Sequence, residues 1–453
     1  MEEKIIEMIE GKKFGLLKET LSQMNPADLA PIFEEIEEKE IPVIFRILPK
    51  ELAAEVFVEM DSDMQQFLIE AFSDKELREV MDELFMDDTV DIIEEMPANV
   101  AKRILKQTSV TTRKMINQLL AYPDDSAGSI MTTEYIDLEK HMTVDEAFDR
   151  IRKIGFESES IYTCYVTDRR RKLLGIVSVK DLLLNPKDCI IDDIMDENII
   201  FANTLDDKED VATQFEKYDL LAIPVVDKEN RLVGIVTVDD AIDVIQEEAS
   251  EDIEKMAAIL PSEKTYLKTG VFETFKARIP WLLFLMISAT FTGAIISSFE
   301  SKLTACLALI AFIPMLMGTG GNSGSQSSVT VIRALSLGDI DFPDIFKVVW
   351  KELRVSVVCG VVLGIVNFIK LYLVDFLWLK TFDPGIELFE IITVCVTLVL
   401  VVIVAKLVGA ILPIVAKKIG FDPAVMASPL VTTILDAVSL IIYFSIAASL
   451  LKI

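Results

Sequence analysis

The stretch Leu173-Leu-Gly-Ile-Val-Ser-Val-Lys-Asp-Leu-Leu183 recurs 59 residues later as Leu232-Val-Gly-Ile-Val-Thr-Val-Asp-Asp-Ala-Ile242. Just upstream, Tyr162–Asp168 parallels Leu221–Asp227 in the same way. Each copy predicts two β-strands joined by a charged turn and followed by a helix, because runs rich in β-branched residues end at polar clusters. The repeat therefore marks residues 126–248 as a duplicated α/β module between two regions of different composition.

The duplicated module resembles a tandem pair of cystathionine-β-synthase (CBS) domains, with Met131 and Met195 opening the two copies. In that family a Ser/Thr-x-x-Asp pattern after the second strand often holds a nucleotide ribose. The resemblance implies a site for an adenine nucleotide such as ATP, with Ser178, Lys180 and Asp181 as candidate ligands. The same pattern also caps helix N-termini, so the sequence leaves both interpretations open.

Charge is distributed very unevenly along the 453 residues. The net charge is −29, yet residues 271–453 carry 13 Lys/Arg and 12 Asp/Glu, so the excess of acid lies in residues 1–270. Such a surface repels nucleic acid and anionic lipid and attracts cations. The polar start, Met1-Glu-Glu-Lys, shows no secretory signal, and we expect the acidic half to fold in the cytoplasm.

The side chains available for metal binding favour hard cations. The chain has one histidine, His141, and five cysteines without paired spacing. Zinc, copper and nickel prefer imidazole and thiolate, whereas magnesium and calcium prefer carboxylate, carbonyl and water. Disulfides and zinc sites are therefore not expected, and the acidic residues are the candidate ligands.

Two helical regions flank the CBS-like module. Residues 1–125 predict short helices, because apolar residues recur at three- and four-residue spacing between proline and Asp/Ser breaks. Phe45–Pro49 and Ile92–Pro97 look like two copies of one helical unit, which indicates a helical superhelix. Residues 249–275 predict a charged connecting helix that leads to the membrane.

Residues 276–453 predict a transmembrane domain of five helices, because uncharged runs of about 20 residues suffice to cross a bilayer. Basic residues cluster before the first span, after the second and after the fourth, which predicts a cytoplasmic N-terminus and an extracytoplasmic C-terminus. The predicted spans are Trp281–Phe299, Leu303–Ile332, Val355–Trp378, Leu388–Val415 and Ala424–Leu451. The predicted fold is thus multidomain: an all-α superhelix, α/β tandem CBS domains, a long connecting helix and a five-helix α transmembrane domain.

Two features inside these spans indicate an ion pathway. Asp436 lies in the last span, where a carboxylate costs on the order of 2.5–3.5 kcal/mol unless it faces water or a counter-ion. The stretch Pro314–Ser328 carries four glycines, which predicts a helix that breaks at membrane depth to line a cavity. A protonated aspartate between helices, and close helix packing through small residues, are the alternatives.

With these features the chain resembles the MgtE family of magnesium channels. The resemblance rests on Gly320-Gly-Asn-Ser-Gly-Ser-Gln326, on Asp422-Pro-Ala before the last span, on Asp436, and on the order of the domains. It implies a homodimer in the lipid bilayer whose pore, lined by the second and fifth spans, passes a hydrated Mg²⁺. Ser325 and Ser428 stand where some relatives carry asparagine.

The resemblance also implies which residues bind metal. The implied pore residues are Asp436, Asn322, Ser325, Ser428 and Asp422. The implied regulatory ligands, at which cytosolic Mg²⁺ would gate the pore, are Glu55, Asp87, Asp91, Glu209, Asp219, Asp239, Asp240, Asp243, Glu248, Glu251 and Asp252.

Other function classes fit less well. We find no phosphate-binding Gly-rich loop with Lys-Ser/Thr, no His-based metal motif and no nucleophile elbow, so an enzyme is not expected. Asp436 argues against an anion channel. A cation exchanger, or a broader transporter of Co²⁺ and Ni²⁺, stays open as an alternative.

Overall fold

The computed structural model describes residues 2–262, 266–299, 307–373 and 388–451. The chain forms two compact units, Met1–Gln246 and Glu247–Ile453, here called the N-terminal and C-terminal units.

Residues 2–119 form ten short helices. Side chains of Asn25, Asp61, Ser73 and Ser109 accept hydrogen bonds from first-turn N–H groups and so fix where four of these helices begin. Their apolar faces share one core with the second CBS-like copy. The helices are α1 Glu2–Glu10, α2 Phe14–Leu21, α3 Pro26–Glu35, α4 Ile41–Phe45, α5 Lys50–Val58, α6 Ser62–Ala71, α7 Asp74–Met81, α8 Met86–Glu95, α9 Ala98–Gln107 and α10 Val110–Leu119.

The duplicated module folds as two matching three-stranded sheets. In each, the first strand pairs parallel with the second, and the second pairs antiparallel with the third. The predicted strand–turn–strand–helix order is present in both copies. The elements are β1 Asp137–Glu139, α11 Val144–Ile154, β2 Thr163–Thr167, β3 Leu173–Ser178, α12 Val179–Leu184, β4 Ala202–Asn203, α13 Lys208–Tyr218, β5 Ala222–Val226 and β6 Leu232–Thr237.

The opening segment of each copy pairs with the other copy. Thr132 exchanges two backbone hydrogen bonds of 2.9 Å with Ile235 on β6. Asp196 likewise exchanges bonds of 3.0 and 2.8 Å with Ile176 on β3. Gly234 permits the first contact, because a Cβ there would lie 2.6 Å from the Thr132 carbonyl oxygen.

The last helix of the module, α14 (Val238–Met256), runs on past the repeat into the C-terminal unit. The predicted connecting helix over 249–275 is not one continuous helix, since α14 ends at Met256. Ala258 has a left-handed φ of 56°, and Leu260 precedes a proline, which disfavours helical conformation. The next helix begins only at Val271.

The C-terminal unit is built from long apolar helices. Four helical stretches of its described residues are long and apolar enough to cross a membrane, namely Val271–Ser298, Phe342–Leu373, Leu388–Lys418 and Pro423–Leu450. The helices are α15 Val271–Ser298, α16 Ile313–Ser336, α17 Ile345–Ile369, α18 Leu388–Lys418 and α19 Ser428–Leu451.

The second predicted span differs most from expectation. Residues 303–306 lie outside the described residues, Leu307–Phe312 form a 3₁₀ turn, and α16 begins at Ile313. The prediction of a broken helix is wrong, because α16 is continuous over 24 residues, about 36 Å. Its Gly, Ser, Asn and Gln residues lower its hydropathy, yet its length suffices to span. Pro314 stands in the first turn, where its missing N–H has no intrahelical partner to lose.

The other span boundaries shift modestly. α15 and α17 begin about ten residues before the predicted Trp281 and Val355, because charged residues fill the first turns of each helix. Residues 374–378 of the third prediction lie outside the described residues. The last span begins as a 3₁₀ turn at Pro423–Met426, and α19 follows from Ser428.

Candidate functional site

The glycines of α16 bring its backbone against α19. A Cβ on Gly320 would lie 2.6 Å from the Ser439 Oγ, and a Cβ on Gly321 would lie 2.8 Å from the Thr432 Cγ2. Side chains do not approach this closely, so only glycine allows the contact. The glycines are therefore packing residues in a continuous helix, and they place the polar residues of α16 beside those of α19.

Asp436 lies within this contact zone. It follows Thr432 by one helical turn and precedes Ser439 by one turn, and the Thr432 hydroxyl lies 3.3 Å from that of Ser325. The Asp436 side chain is half-buried. Across the described part of the chain, no hydrogen bond or ion pair engages its carboxylate. A charged group in this position lacks a protein counter-charge, which is the arrangement expected beside a cation pathway.

Two polar faces of α16 have different surroundings. Asn322, Gln326 and Thr330 form an exposed stripe, whereas Ser327 and Ser328 are buried. The Ser328 hydroxyl donates a 2.6 Å hydrogen bond to the carbonyl of Met426, in the turn before α19. The exposed stripe leaves Asn322 accessible on the side of α16 that no described helix covers. The backbone of Ser428 begins α19, and its side chain lies outside the described set.

The end of α14 is held against the turn that precedes α19. Asp422 accepts a hydrogen bond from the Ala424 N–H at 2.8 Å and pairs with the Lys255 Nζ at 2.7 Å. Lys255 also pairs with Glu251, at 2.6 Å. Although burial acts in the opposite direction, hydrogen bonds to Asp422 and Glu251 raise the pKa of Lys255 above its ordinary value.

Two further contacts complete this attachment. The Ser336 hydroxyl, at the end of α16, donates to the Asp252 carboxylate over 3.3 Å. Met256 packs against Ile332 and the Ala424–Ala427 turn. The last turns of α14 thus contact the ends of both helices that border Asp436.

A second concentration of charge lies in the N-terminal unit, where α8 faces the second CBS-like copy. Asp87 is buried, and Asp88 and Asp91 follow it on the same helix. The charges of Asp239 and Asp240 act on this helix from the start of α14. We call Asp87, Asp88, Asp91, Glu159, Asp239 and Asp240 the acidic cluster.

The carboxylates of the acidic cluster raise one another's pKa values. Burial and the charge of Asp240 raise the pKa of Asp88 to about 6 and that of Asp87 well above its ordinary range. Burial and the charge of Asp88 raise the pKa of Glu159 to about 8. Surrounding protein and the charge of Asp240 raise the pKa of Asp91 to about 7, although its side chain still reaches solvent. Burial and Asp239 raise the pKa of Asp240 to about 6.

Some of the acids predicted as regulatory ligands join this cluster and others do not. Asp243 adds its charge next to Asp240, whereas Glu55, Glu209 and Asp219 are exposed. Glu59, one turn after Glu55, adds its charge to those of Asp240 and Asp239 on Asp88. Glu248, Glu251 and Asp252 lie on the part of α14 that belongs to the C-terminal unit.

Sequence reasoning missed Asp88, Glu134 and Glu159. The adjacent pair Asp87–Asp88 was visible, but nothing in the repeat pattern connects Glu134 or Glu159 with a helix about 50 or more residues away. The Glu134 carboxylate accepts a 3.2 Å hydrogen bond from the N–H of Met86. No group of three or more His, Cys, Asp or Glu in the described ranges is arranged to hold a metal ion. The cluster is a set of mutually repelling carboxylates without a formed coordination sphere.

The candidate nucleotide residues lie at the start of α12. The Ser178 hydroxyl donates to Asp181 at 2.5 Å, and the Asp181 N–H donates back to it at 3.1 Å, which forms a capping box. Ser178 is half-buried, while Lys180 and Asp181 are exposed. The helix cap is by itself a sufficient explanation for the Ser-x-x-Asp pattern. It leaves the exposed side chains at the start of α12 accessible to a ligand.

Comparison with known proteins accounts for both units. Residues 24–125 match the MgtE intracellular N domain, residues 127–187 and 191–247 match CBS domains, and residues 313–446 match the family described as divalent cation transporter. The magnesium transporter MgtE of Thermus thermophilus is 36% identical over 96% of this chain and 95% of its own length. The chain belongs to the MgtE family.

Further MgtE proteins are similar over the same length or over the N-terminal unit. The magnesium transporter MgtE of Bacillus subtilis is 33% identical over 98% of this chain and 96% of its own. The crystal structure of the cytosolic domain of the Mg²⁺ channel MgtE in complex with ATP has a TM-score of 0.52 and 33% identity, and covers 54% of this chain and all of that one. The predicted family and the predicted order of helical, CBS and membrane regions are confirmed.

Proposed function

We propose that this membrane protein carries Mg²⁺ across the bilayer along the contact between α16 and α19. The observation that supports this most directly is the half-buried Asp436 carboxylate, which no described side chain neutralises, on the segment of α19 against which the glycines of α16 pack. Mg²⁺ keeps its water shell readily and binds through few carboxylates, so one acid with hydroxyl and amide neighbours suits it. The family membership and the names of the relatives support the same ion.

We infer that the pathway is completed by a second copy of the chain. The stripe of Asn322, Gln326 and Thr330 is exposed on a helix of membrane length. Polar side chains that face lipid are costly, and a twofold-related copy would cover them with the same groups. The twofold axis of the homodimer would then pass between the two Asp436 carboxylates. Ser325 and Asn322 would lie on the same path, with Asp422 and Ser428 at its cytoplasmic end.

We propose that cytosolic Mg²⁺ regulates this pathway through the acidic cluster. Carboxylates that repel one another across the faces of α8, α14 and the first CBS domain would separate without a cation and pack with one. The attachment of α14 to Asp422 and Ser336 offers a route to the pore. Asp87, Asp91, Asp239, Asp240 and Asp243 are the proposed ligands within the cluster region; Glu55, Glu209, Asp219, Glu248, Glu251 and Asp252 stay candidates for sites formed in other states.

We further propose that the CBS domains bind an adenine nucleotide. The related cytosolic domain that was crystallised with ATP is 33% identical, and Ser178, Lys180 and Asp181 remain the candidate contacts. We also propose a cytoplasmic N-terminus, supported by basic residues at the ends of α16 and α18 on the side of α14.

Flux of Mg²⁺ into proteoliposomes tests the proposal. Asp436→Ala should abolish flux, while Asp339→Asn, an exposed acid in the loop after α16, should leave it unchanged. Flux that persists in Asp436→Ala would contradict the pathway. A channel carries current at a clamped potential without a pH or Na⁺ gradient, so flux that needs such a gradient would instead indicate the exchanger.

A further inference from the structure

A buried bridge of opposite charges joins three membrane helices on the other face of α16. The Ser327 hydroxyl donates a 2.6 Å hydrogen bond to Glu352 on α17 and accepts a 3.5 Å hydrogen bond from the Lys406 Nζ on α18. Ser327, Glu352 and Lys406 are 2%, 9% and 6% exposed, respectively. We call these three residues the Glu352–Ser327–Lys406 bridge.

The bridge is incompletely satisfied within the described residues. An ammonium has three N–H donors, and the Lys406 Nζ has the single long hydrogen bond to Ser327. Glu352 and Lys406 make no direct ion pair in this part of the chain, because the serine hydroxyl stands between them. Two buried charges held apart in this way are expensive for stability alone, and a well-packed apolar pair would serve as well or better.

The bridge also faces the ion pathway through a cavity. A cavity of about 670 Å³ is lined by both charged residues of the bridge and by Ser325, Gln326 and Thr330. Ser325 is the residue whose hydroxyl meets Thr432, one turn from Asp436. With one helix diameter taken as the scale, the charges of the bridge would act on the proposed path over roughly 10 Å.

We propose that Glu352 and Lys406 set the electrostatic potential of the ion pathway, so that Glu352 determines divalent affinity and Lys406 limits it. This inference rests on the proposed function of the Asp436 pathway. A cation near Ser325 is repelled by the ammonium and attracted by the carboxylate, and the serine holds the two at a fixed separation. Removal of either charge leaves the other without compensation. Its effect on the cation is then strong, because both residues are buried and water screens them little.

The opposite signs of the two charges give the test. In proteoliposomes without internal Mg²⁺, Glu352→Gln should raise the KM for Mg²⁺, and Lys406→Gln should lower it, each on the order of tenfold for a unit charge at that distance. The double variant should return the KM to within about twofold of wild type. Lys370→Gln, an exposed lysine just after α17, serves as the control and should leave the KM unchanged.

Other outcomes overturn the inference. KM shifts in the same direction for both single variants, or a double variant whose shift is far from zero, would mean that the bridge acts only by packing. Ser327→Ala leaves both charges in the protein, so their opposing effects on a nearby cation should still largely cancel and the KM should stay within about twofold of wild type. A larger shift would contradict the electrostatic role. If the single variants fail to reach the membrane, the double variant decides, since a wild-type KM is expected there.

A stability measurement separates this inference from the proposed function. Should the wild-type protein carry no Mg²⁺, the proposed function fails, whereas thermal unfolding in detergent still examines the bridge. Each single variant should then lower the midpoint temperature of unfolding more than the double variant does, because a single variant leaves one buried charge without its partner. Additive losses would show that the two residues are not paired.

Discussion

At Gly324 the backbone of α16 lies against two other helices at once, and a single methyl group should separate them. A Cβ there would lie 2.0 Å from the Leu435 Cδ1 and 3.1 Å from the Ala405 carbonyl oxygen. We expect Gly324→Ala to lower stability by about 1–3 kcal/mol, as overpacking usually does. Flux should fall with it, because α16 and α19 border the same path. Thermal unfolding in detergent and Mg²⁺ flux would measure both effects.

Gly293 on α15 provides the matched control. No heavy atom lies within 4 Å of a Cβ built there, and its backbone is helical. Gly293→Ala should leave stability unchanged or raise it by about 0.5–1 kcal/mol, since alanine favours helix more than glycine. Equal losses in the two alanine variants would contradict the packing role of Gly324.

Residue by residue, the sequence revealed groups whose chemistry is unusual for their location. Asp436 was found because a carboxylate in an apolar run is costly. Glu352 was missed because Lys351 and Arg354 beside it suggested a solvated helix start, and only the fold shows that it points toward Ser327. Asp88 and Glu159 were missed because their proximity depends on how α8 packs against the CBS domains, which no spacing encodes.

Among the elements, the end of α14 makes the contacts that matter most for regulation. Lys255→Gln removes the ion pairs with Asp422 and Glu251 while it keeps a polar side chain only one atom shorter. We expect flux to become less sensitive to internal Mg²⁺, with a severalfold rise in the inhibitory concentration, because the ion pair that attaches α14 to the turn before α19 is then lost. Mg²⁺ flux at graded internal Mg²⁺ would measure it.

Lys228→Gln, in an exposed turn of the second CBS domain, is the control. Its flux should depend on internal Mg²⁺ as that of the wild type does. An unchanged curve in Lys255→Gln as well would mean that the ion pair with Asp422 does not transmit regulation.

For the helices and strands, the sequence predicted their type and order better than the residues at which they begin and end. The repeat located β2, β3, β5 and β6, because a duplicated pattern constrains both copies. The connecting helix was overextended, since the left-handed turn at Ala258 has no marker such as glycine. α16 was expected to break because its glycines weaken an isolated helix, but close contacts with Ser439 and Thr432 compensate.

For the whole molecule, the acidic cluster predicts a pH dependence. Asp88, Asp240 and Glu159 have native pKa values near 6, 6 and 8, above the roughly 4 of an unfolded chain. Between about pH 4 and pH 8 the native state therefore binds more protons, and stability falls as pH rises. In EDTA, the N-terminal unit should resist proteolysis and heat better at pH 5.5 than at pH 8. Mg²⁺ should restore resistance at pH 8 and add little at pH 5.5.

Two variants test this assignment. Glu159→Gln removes the carboxylate whose pKa is raised to about 8 and should weaken the pH dependence, whereas Glu157→Gln, an exposed neighbour, should not. Resistance that is independent of both pH and Mg²⁺ would refute the regulatory proposal while leaving the membrane pathway untouched.

The exchanged opening segments of the two CBS domains limit how the protein can be divided. A fragment that held the first copy alone would keep Thr132 without Ile235 and Ile176 without Asp196, and would expose a strand edge. Such a half-module could regain full pairing only by trading segments with another half-module. The pair is thus the smallest piece that can be cut out or transplanted intact, and any chimera should join its parts outside residues 126–247.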